Sequence, residues 1–230
     1  MIKIELSKDI KFKLPESRSE VTYDQWIKAH KHLKDIEDAQ ALFEKGEIYQ
    51  SNSKVIRSIA KMIVALSVGN VTETDLLNTE WEHLFNLFNI TFKWMQIEPK
   101  KKEFKVNGKT LVIPDFNNTT GLQLMDATAY IQQIEEDNDI EKGLVLATVY
   151  TSEKYTQDLE DYEKRKQWLK KYARMDLFHA CAFFFLNSTK RLPMYTPQPL
   201  VVEEAERLIK PLNDWATMLY LLTYRESKSL

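Results

Sequence analysis

The sequence predicts a mainly α fold, a single helical domain over residues 1–230 with two short β-hairpins at about 2–14 and 103–113. Three observations predict it. Apolar residues recur every three or four positions through most of the chain, as amphipathic helices require. Thr22 with Gln25 and Thr120 with Gln123 form capping-box pairs just ahead of such stripes. Two other segments alternate apolar with polar residues, and one is centred on Asn107-Gly108, a pair suited to the positive φ angles of a type I′ turn.

The first hairpin is read from Ile2, Ile4 and Leu6, then Ile10, Phe12 and Leu14, with Ser7-Lys8-Asp9 as its turn. Thr22 opens a helix whose stripe is Trp26, Ala29, Leu33 and Ile36. Ser51-Asn52-Ser53 is the expected start of a second helix, with Val55, Ile56, Ile59, Ala60, Ile63 and Leu66 on one face and Gly69 as its stop. Thr72 and Thr79 are expected caps of a short and a longer helix, the latter burying Trp81, Leu84, Phe85, Phe88 and Phe92. Pro99 and Lys100-Lys101-Lys102 end it, and the second hairpin follows, closed off by Pro114. The helix after Thr120 should bury Leu122, Met125, Ala129 and Tyr130.

After Asp137-Asn138-Asp139 the segment "LVLATVY" at 144–150 reads as helix, although its length also suits a buried strand. Helices are expected over about 156–174 and 176–186. Pro193, Pro197 and Pro199 mark an irregular stretch. A last stripe, Ala205, Leu208, Ile209, Leu212, Trp215, Leu219 and Leu222, is interrupted at Pro211. No repeat, low-complexity tract or flexible linker divides the chain, so residues 1–15 are read as an N-terminal arm and 103–113 as an insertion in the one domain.

With 43% apolar and 29% charged residues, the 230-residue chain has the composition of an ordered globular protein. A net charge of -2 gives no global basic field to recruit nucleic acid or anionic membrane. The one cysteine, Cys181, excludes an intrachain disulfide and fits a reducing compartment. The N-terminus "MIKIELSKDIKFKLP" lacks the continuous apolar stretch of a signal peptide, and "ACAFFFL" is too short to span a bilayer.

Candidate chemistry is sparse. Glu80 with His83, and Asp176 with His179, each set a carboxylate three residues before a histidine, as in the Glu-x-x-His pairs of di-iron helical bundles. A metal-dependent helical-bundle enzyme is therefore an alternative reading. Against it, at about 100° per residue Glu80 and His83 fall beside the stripe of Trp81, Leu84 and Phe85, not within it. Lys164, Arg165, Lys166, Lys170, Lys171 and Arg174 interleave with Trp168 and Tyr172, which could serve nucleic acid. Glu160 and Asp161, four residues before Lys164 and Arg165, favour ordinary helix-surface pairs instead. No Gly-rich phosphate loop, zinc-type cysteine pair or oriented nucleophile is present, and no catalytic residue or cofactor is expected.

From residue 80 to 187 the chain runs through an aromatic-rich helix, "FKVNGKTLVIPDF", "NNTTGLQLMDATAYI", "LVLATVY" and "YEKRKQWLKKYARMDLFHACAFFFLN". This order, with its Pro114-Asp115…Thr120 junction into a helix, resembles a class of tailed-bacteriophage proteins comprising virion structural components and tail-assembly chaperones. The resemblance implies a non-enzymatic head–tail connector or tail ring subunit, or alternatively a tail-assembly chaperone. It would act in the virion after assembly in the bacterial host cytoplasm. Partners would be further copies of the chain in a ring and portal or tail components, with no nucleic acid and no membrane. In that setting hairpins reach neighbouring subunits by strand addition. The expected contact residues are Ile2, Ile4, Leu6, Ile10, Phe12 and Leu14 of the first hairpin and Phe104, Val106, Asn107, Gly108 and Leu111 of the second.

Overall fold

The computed structural model of the chain describes residues 1–115, 118–134, 139–152 and 155–189. The proline-marked stretch, the stripe through Pro211, the Asp137-Asn138 spacer and the side chains of Leu33 and Phe92 lie outside the described residues. The fold is mainly α, with eight α-helices and two small antiparallel sheets among the described residues.

Strands β1 (Ile2–Glu5) and β2 (Lys11–Leu14) pair with Ile2 opposite Leu14 and Ile4 opposite Phe12. Ser7 Oγ accepts the Asp9 and Ile10 amides at 3.3 and 3.2 Å, which closes the turn at the expected place. A third strand, β3 (Val68–Gly69), pairs with β2 and was not expected. Gly69 was read as a helix stop, but it lies opposite Phe12 within the sheet at φ 146°. A Cβ there would sit 2.8 Å from the Lys11 carbonyl oxygen, so the close strand contact requires glycine. The sheet lays Phe12 and Leu14 into the core.

Helix α1 (Tyr23–Glu44) opens with the expected capping box, the Gln25 amide donating to Thr22 Oγ1 and the Thr22 amide to Gln25 Oε1, both at 3.1 Å. The chain turns at Gly46 into α2 (Ile48–Leu66), which packs back along α1. Ser51 therefore lies inside α2, not before it. Its buried hydroxyl donates to the Ala39 carbonyl at 2.7 Å and ties the pair together, so it is not free to cap. Thr72 caps the short α3 (Glu73–Leu77). Glu80, not Thr79, precedes α4 (Trp81–Phe92), because Thr79 Oγ1 donates back to the Leu76 carbonyl at 2.7 Å. Helix α4 buries Leu84, Leu87 and Phe88.

The second hairpin is β4 (Glu103–Val106) and β5 (Lys109–Val112), turned by Asn107 at φ 45° and Gly108 at φ 76° as the type I′ signature requires. Helix α5 (Gly121–Ile131) begins at the predicted capping box, but its buried face is not the predicted one. Leu122, Met125 and Ala129 are exposed, whereas Gln123 and Ala127 are buried. Gln123 Nε2 donates to the Val149 carbonyl at 3.1 Å and small Ala127 faces inward, which sets the helix rotation against α6 (Asp139–Tyr150). Residues 144–150 are thus helix, buried on every side. Their apolar run shows no period because α6 packs against α5, α7 (Leu159–Tyr172) and α8 (Met175–Thr189) at once. One continuous core runs from Phe12 to Ala182.

Candidate functional site

The two carboxylate–histidine pairs occupy different environments. Glu80 and His83 lie on the solvent side of α4, with Glu80 Oε2 3.7 Å from His83 Nδ1 and both side chains largely exposed. Asp176 and His179 lie on α8 in a partly enclosed setting that Arg18 enters from the turn after β2. Arg18 stacks over the Trp94 ring at 5.8 Å and donates to the Ile97 carbonyl. Burial lowers its guanidinium to about 10, opposed by the charge of Asp176. Burial also pushes the Asp176 carboxyl up, although the Leu177 amide donates to it at 3.0 Å.

His179 is pushed down to about 3, by burial first and by the Arg18 charge second, and its Nδ1 has no hydrogen-bond partner. A neutral imidazole with one unpartnered nitrogen is one potential ligand, and no group of three histidine, cysteine or acidic side chains suited to a metal occurs among the described residues. Cys181 is buried and its thiol is pushed up by burial, the state of an inert core thiol.

The basic run on α7 is largely engaged within the chain. Lys164 pairs with Glu160 at 2.6 Å as expected. Arg165 does not turn to Asp161. Its Nε donates to the Thr148 carbonyl at 3.0 Å and its Nη2 to Thr151 Oγ1 at 2.9 Å, so it closes the C-terminal end of α6. Lys166 bonds Glu141 at 2.6 Å, and the Tyr23 hydroxyl donates to the same carboxylate at 2.6 Å. Burial alone would raise Glu141, but the Lys166 and Tyr23 hydrogen bonds outweigh it and hold the carboxyl below its ordinary range. This hub joining α1, α6 and α7 was not read from the sequence. Its sequence trace is an acidic residue just ahead of the apolar run of α6.

Of the expected contact residues, Phe12, Leu14, Phe104, Val106 and Leu111 are buried in the chain's own core, and Ile4, Leu6 and Ile10 pack partly against it. Ile2 is half-buried, and Asn107 and Gly108 stand exposed at the hairpin tip. Most of these side chains thus serve this chain, and the sheet edges carry backbone groups that point outward.

Strand geometry fixes which residues point outward. In an antiparallel pair, successive residues alternately bond the neighbouring strand and face away from it. Val106 and Lys109 flank the two-residue turn and form a bonded pair. The Ile113 amide donates to the Lys102 carbonyl at 2.8 Å, in phase with that pattern. Thr110 and Val112 on β5, and Glu103 and Lys105 on β4, therefore direct their N–H and C=O groups outward. By the same count, from the Leu6 amide bonded to the Ile10 carbonyl, Lys3 and Glu5 face outward on β1. Charged residues guard the edges of β1 and β4, and β3 is two residues long. The β5 edge instead presents uncharged, β-branched Thr110 and Val112.

No protein-family model matches the sequence, and no curated protein or solved structure is similar to it.

Proposed function

We propose that this chain is a non-enzymatic structural component of a bacteriophage virion, a head–tail connector or tail ring subunit that assembles with copies of itself and with portal or tail components. The observation that carries this reading is the pair of small sheets set on a helical body, with the outer edge of β5 unpaired among the described residues. Main-chain pairing at such an edge gives affinity without a catalytic group. The resemblance of residues 80–187 to phage structural and assembly proteins supplies the biological setting. No described helix is long and apolar enough to cross a membrane.

Two measurements test the proposal. Light scattering coupled to size exclusion, across a concentration series, should give a discrete oligomer that grows in as concentration rises. Mass spectrometry of purified particles should find the chain at a fixed copy number. A strict monomer that is absent from particles would reject the structural role in favour of a tail-assembly chaperone.

A further inference from the structure

Helix α5 presents its more apolar stripe outward. Leu122, Met125 and Ala129 are exposed, Met125 at 69% and Leu122 at 38%. An amphipathic helix ordinarily buries such a stripe against a neighbour. At Leu122 the stripe borders a groove of about 520 Å³, which Val112 and Tyr150 also line. The Tyr150 ring meets that of Phe185 at 5.4 Å, and Phe183, Phe184 and Phe185 near the end of α8 are each only half-buried. An apolar face thus leads from the C-terminal part of α8, past Tyr150, to α5. We propose that this face seats the C-terminal segment of the same chain, with Leu212, Trp215 and Leu219 packed across Leu122, Met125 and Ala129.

Residues 190–230 follow α8 directly and lie outside the described residues. They carry the apolar stripe through Leu208, Leu212, Trp215, Leu219 and Leu222. Leu212, Trp215 and Leu219 repeat the i, i+3, i+7 spacing of Leu122, Met125 and Ala129, so one row can lie along the other as in helix-on-helix packing. Pro211 just ahead of Leu212 suits the first turn of such a helix. The groove beside Leu122 gives the large Trp215 ring a place to enter. The described chain ends at Thr189, one helical turn beyond Phe185 and so beside the face itself. From there the residues up to Leu212 span several tens of ångströms when extended, ample for the return to α5. Tethered in this way, the segment meets the face at an effective concentration on the order of millimolar. A second copy of the chain competes only when its own concentration approaches that value, which favours the chain's own segment.

The test is hydrogen exchange by mass spectrometry on the full chain, across a concentration series. The amides of residues 212–222 should exchange roughly tenfold or more below their intrinsic rate, to the same degree at every concentration. Met125→Lys sets an ammonium in the apolar seat, at a site exposed enough to leave the domain folded. It should speed the exchange of 212–222 roughly tenfold. Trp215→Lys should act in the reverse direction and speed the amides of α5. If Met125→Lys disturbs α5 itself, Met125→Ala replaces it and should give a smaller change of the same sign. Exchange of 212–222 at the intrinsic rate, or protection indifferent to these substitutions, would overturn the proposal. So would protection that appears only as light scattering records a larger mass, because a second copy then supplies the cover. The virion reading stands or falls separately, on the composition of purified particles.

Discussion

Leu14 in β2 and Leu111 in β5 are both buried, yet the strands that carry them are closed in different ways. Strand β2 is central, with β1 on one side and β3 on the other, and Gly69 of β3 lies close against Phe12. Strand β5 has a neighbour on one side only among the described residues. The first sheet spends its pairing capacity within the chain and covers its long edge with Lys3 and Glu5, the latter bridged to Lys11 at 3.0 Å. The second leaves Thr110 and Val112 uncharged beside a groove. Two hairpins with the same alternating pattern thus divide, among the described residues, into one that gains a third strand and one that does not. What separates them is the third strand and the charges at the edge, not the apolar residues underneath.

Core truncation probes this contrast most strongly. Leu14 is fully buried between its sheet and the helices, and Leu14→Ala should cost roughly 2–5 kcal/mol in denaturant unfolding. Leu111→Ala should cost less, because a two-stranded hairpin with a free edge can settle into the space. Equal losses would mean that the second hairpin is as rigidly built in as the first. Deleting residues 1–15 removes Phe12 and Leu14 together, so it should unfold the chain and not merely detach an arm.

The glycines sharpen the comparison at a smaller scale. Gly69→Ala places a Cβ 2.8 Å from backbone at Lys11 and Phe12, at a φ of 146°, and should cost about 2–3 kcal/mol. Gly108 has φ 76° but open space around it. Gly108→Ala then carries only the left-handed backbone penalty, about 1 kcal/mol. Thermal melts of the two variants should separate in that order, and a reversal would show that β3 yields more easily than its contacts imply.

How much of this was legible depends on range along the chain. The second hairpin was readable because its turn and strands lie within eleven residues and Asn107-Gly108 dictates the geometry. Capping boxes at Thr22 and Thr120 were readable for the same reason. Strand β3 was not, since two residues carry no alternation and its partner β2 lies more than fifty positions away. The rotation of α5 was misread because its stripe of Leu122, Met125 and Ala129 is more apolar than the Gln123–Ala127 face that packs. The hydrogen bond from Gln123 to Val149 decides that face, and nothing local announces it. Arg165 was assigned to Asp161 by spacing, yet it donates to the Thr148 carbonyl and the Thr151 hydroxyl at the end of α6. The open edge needed both sheets to be known, because only the full strand order tells which edges are left.

Acid should distinguish the two sheets by the smallest of these effects. Arg18 follows β2 directly and reaches the Asp176–His179 region of α8, so this anchorage belongs to the closed sheet. His179 has a folded value of about 3 against an ordinary 6.5, so between those limits the unfolded chain binds a proton that the folded chain refuses. Stability then falls as pH drops from 6.5 toward 3, by at most about 1.4 kcal/mol per unit. Asp176 acts in the opposite sense, because burial raises its carboxyl and folding favours its protonated form between the ordinary value and the raised one. His179→Leu removes the first contribution and keeps the second. Urea unfolding at pH 6.5, 5.5 and 4.5 should show the unaltered protein losing stability relative to the variant at each step. Hydrogen exchange at the same pH values should place the loosening, after allowance for the intrinsic rate, at β2 and the start of α8 and not at β4–β5. Parallel stability curves would mean that His179 reaches water in the folded state and that the closed sheet owes nothing to its neutrality.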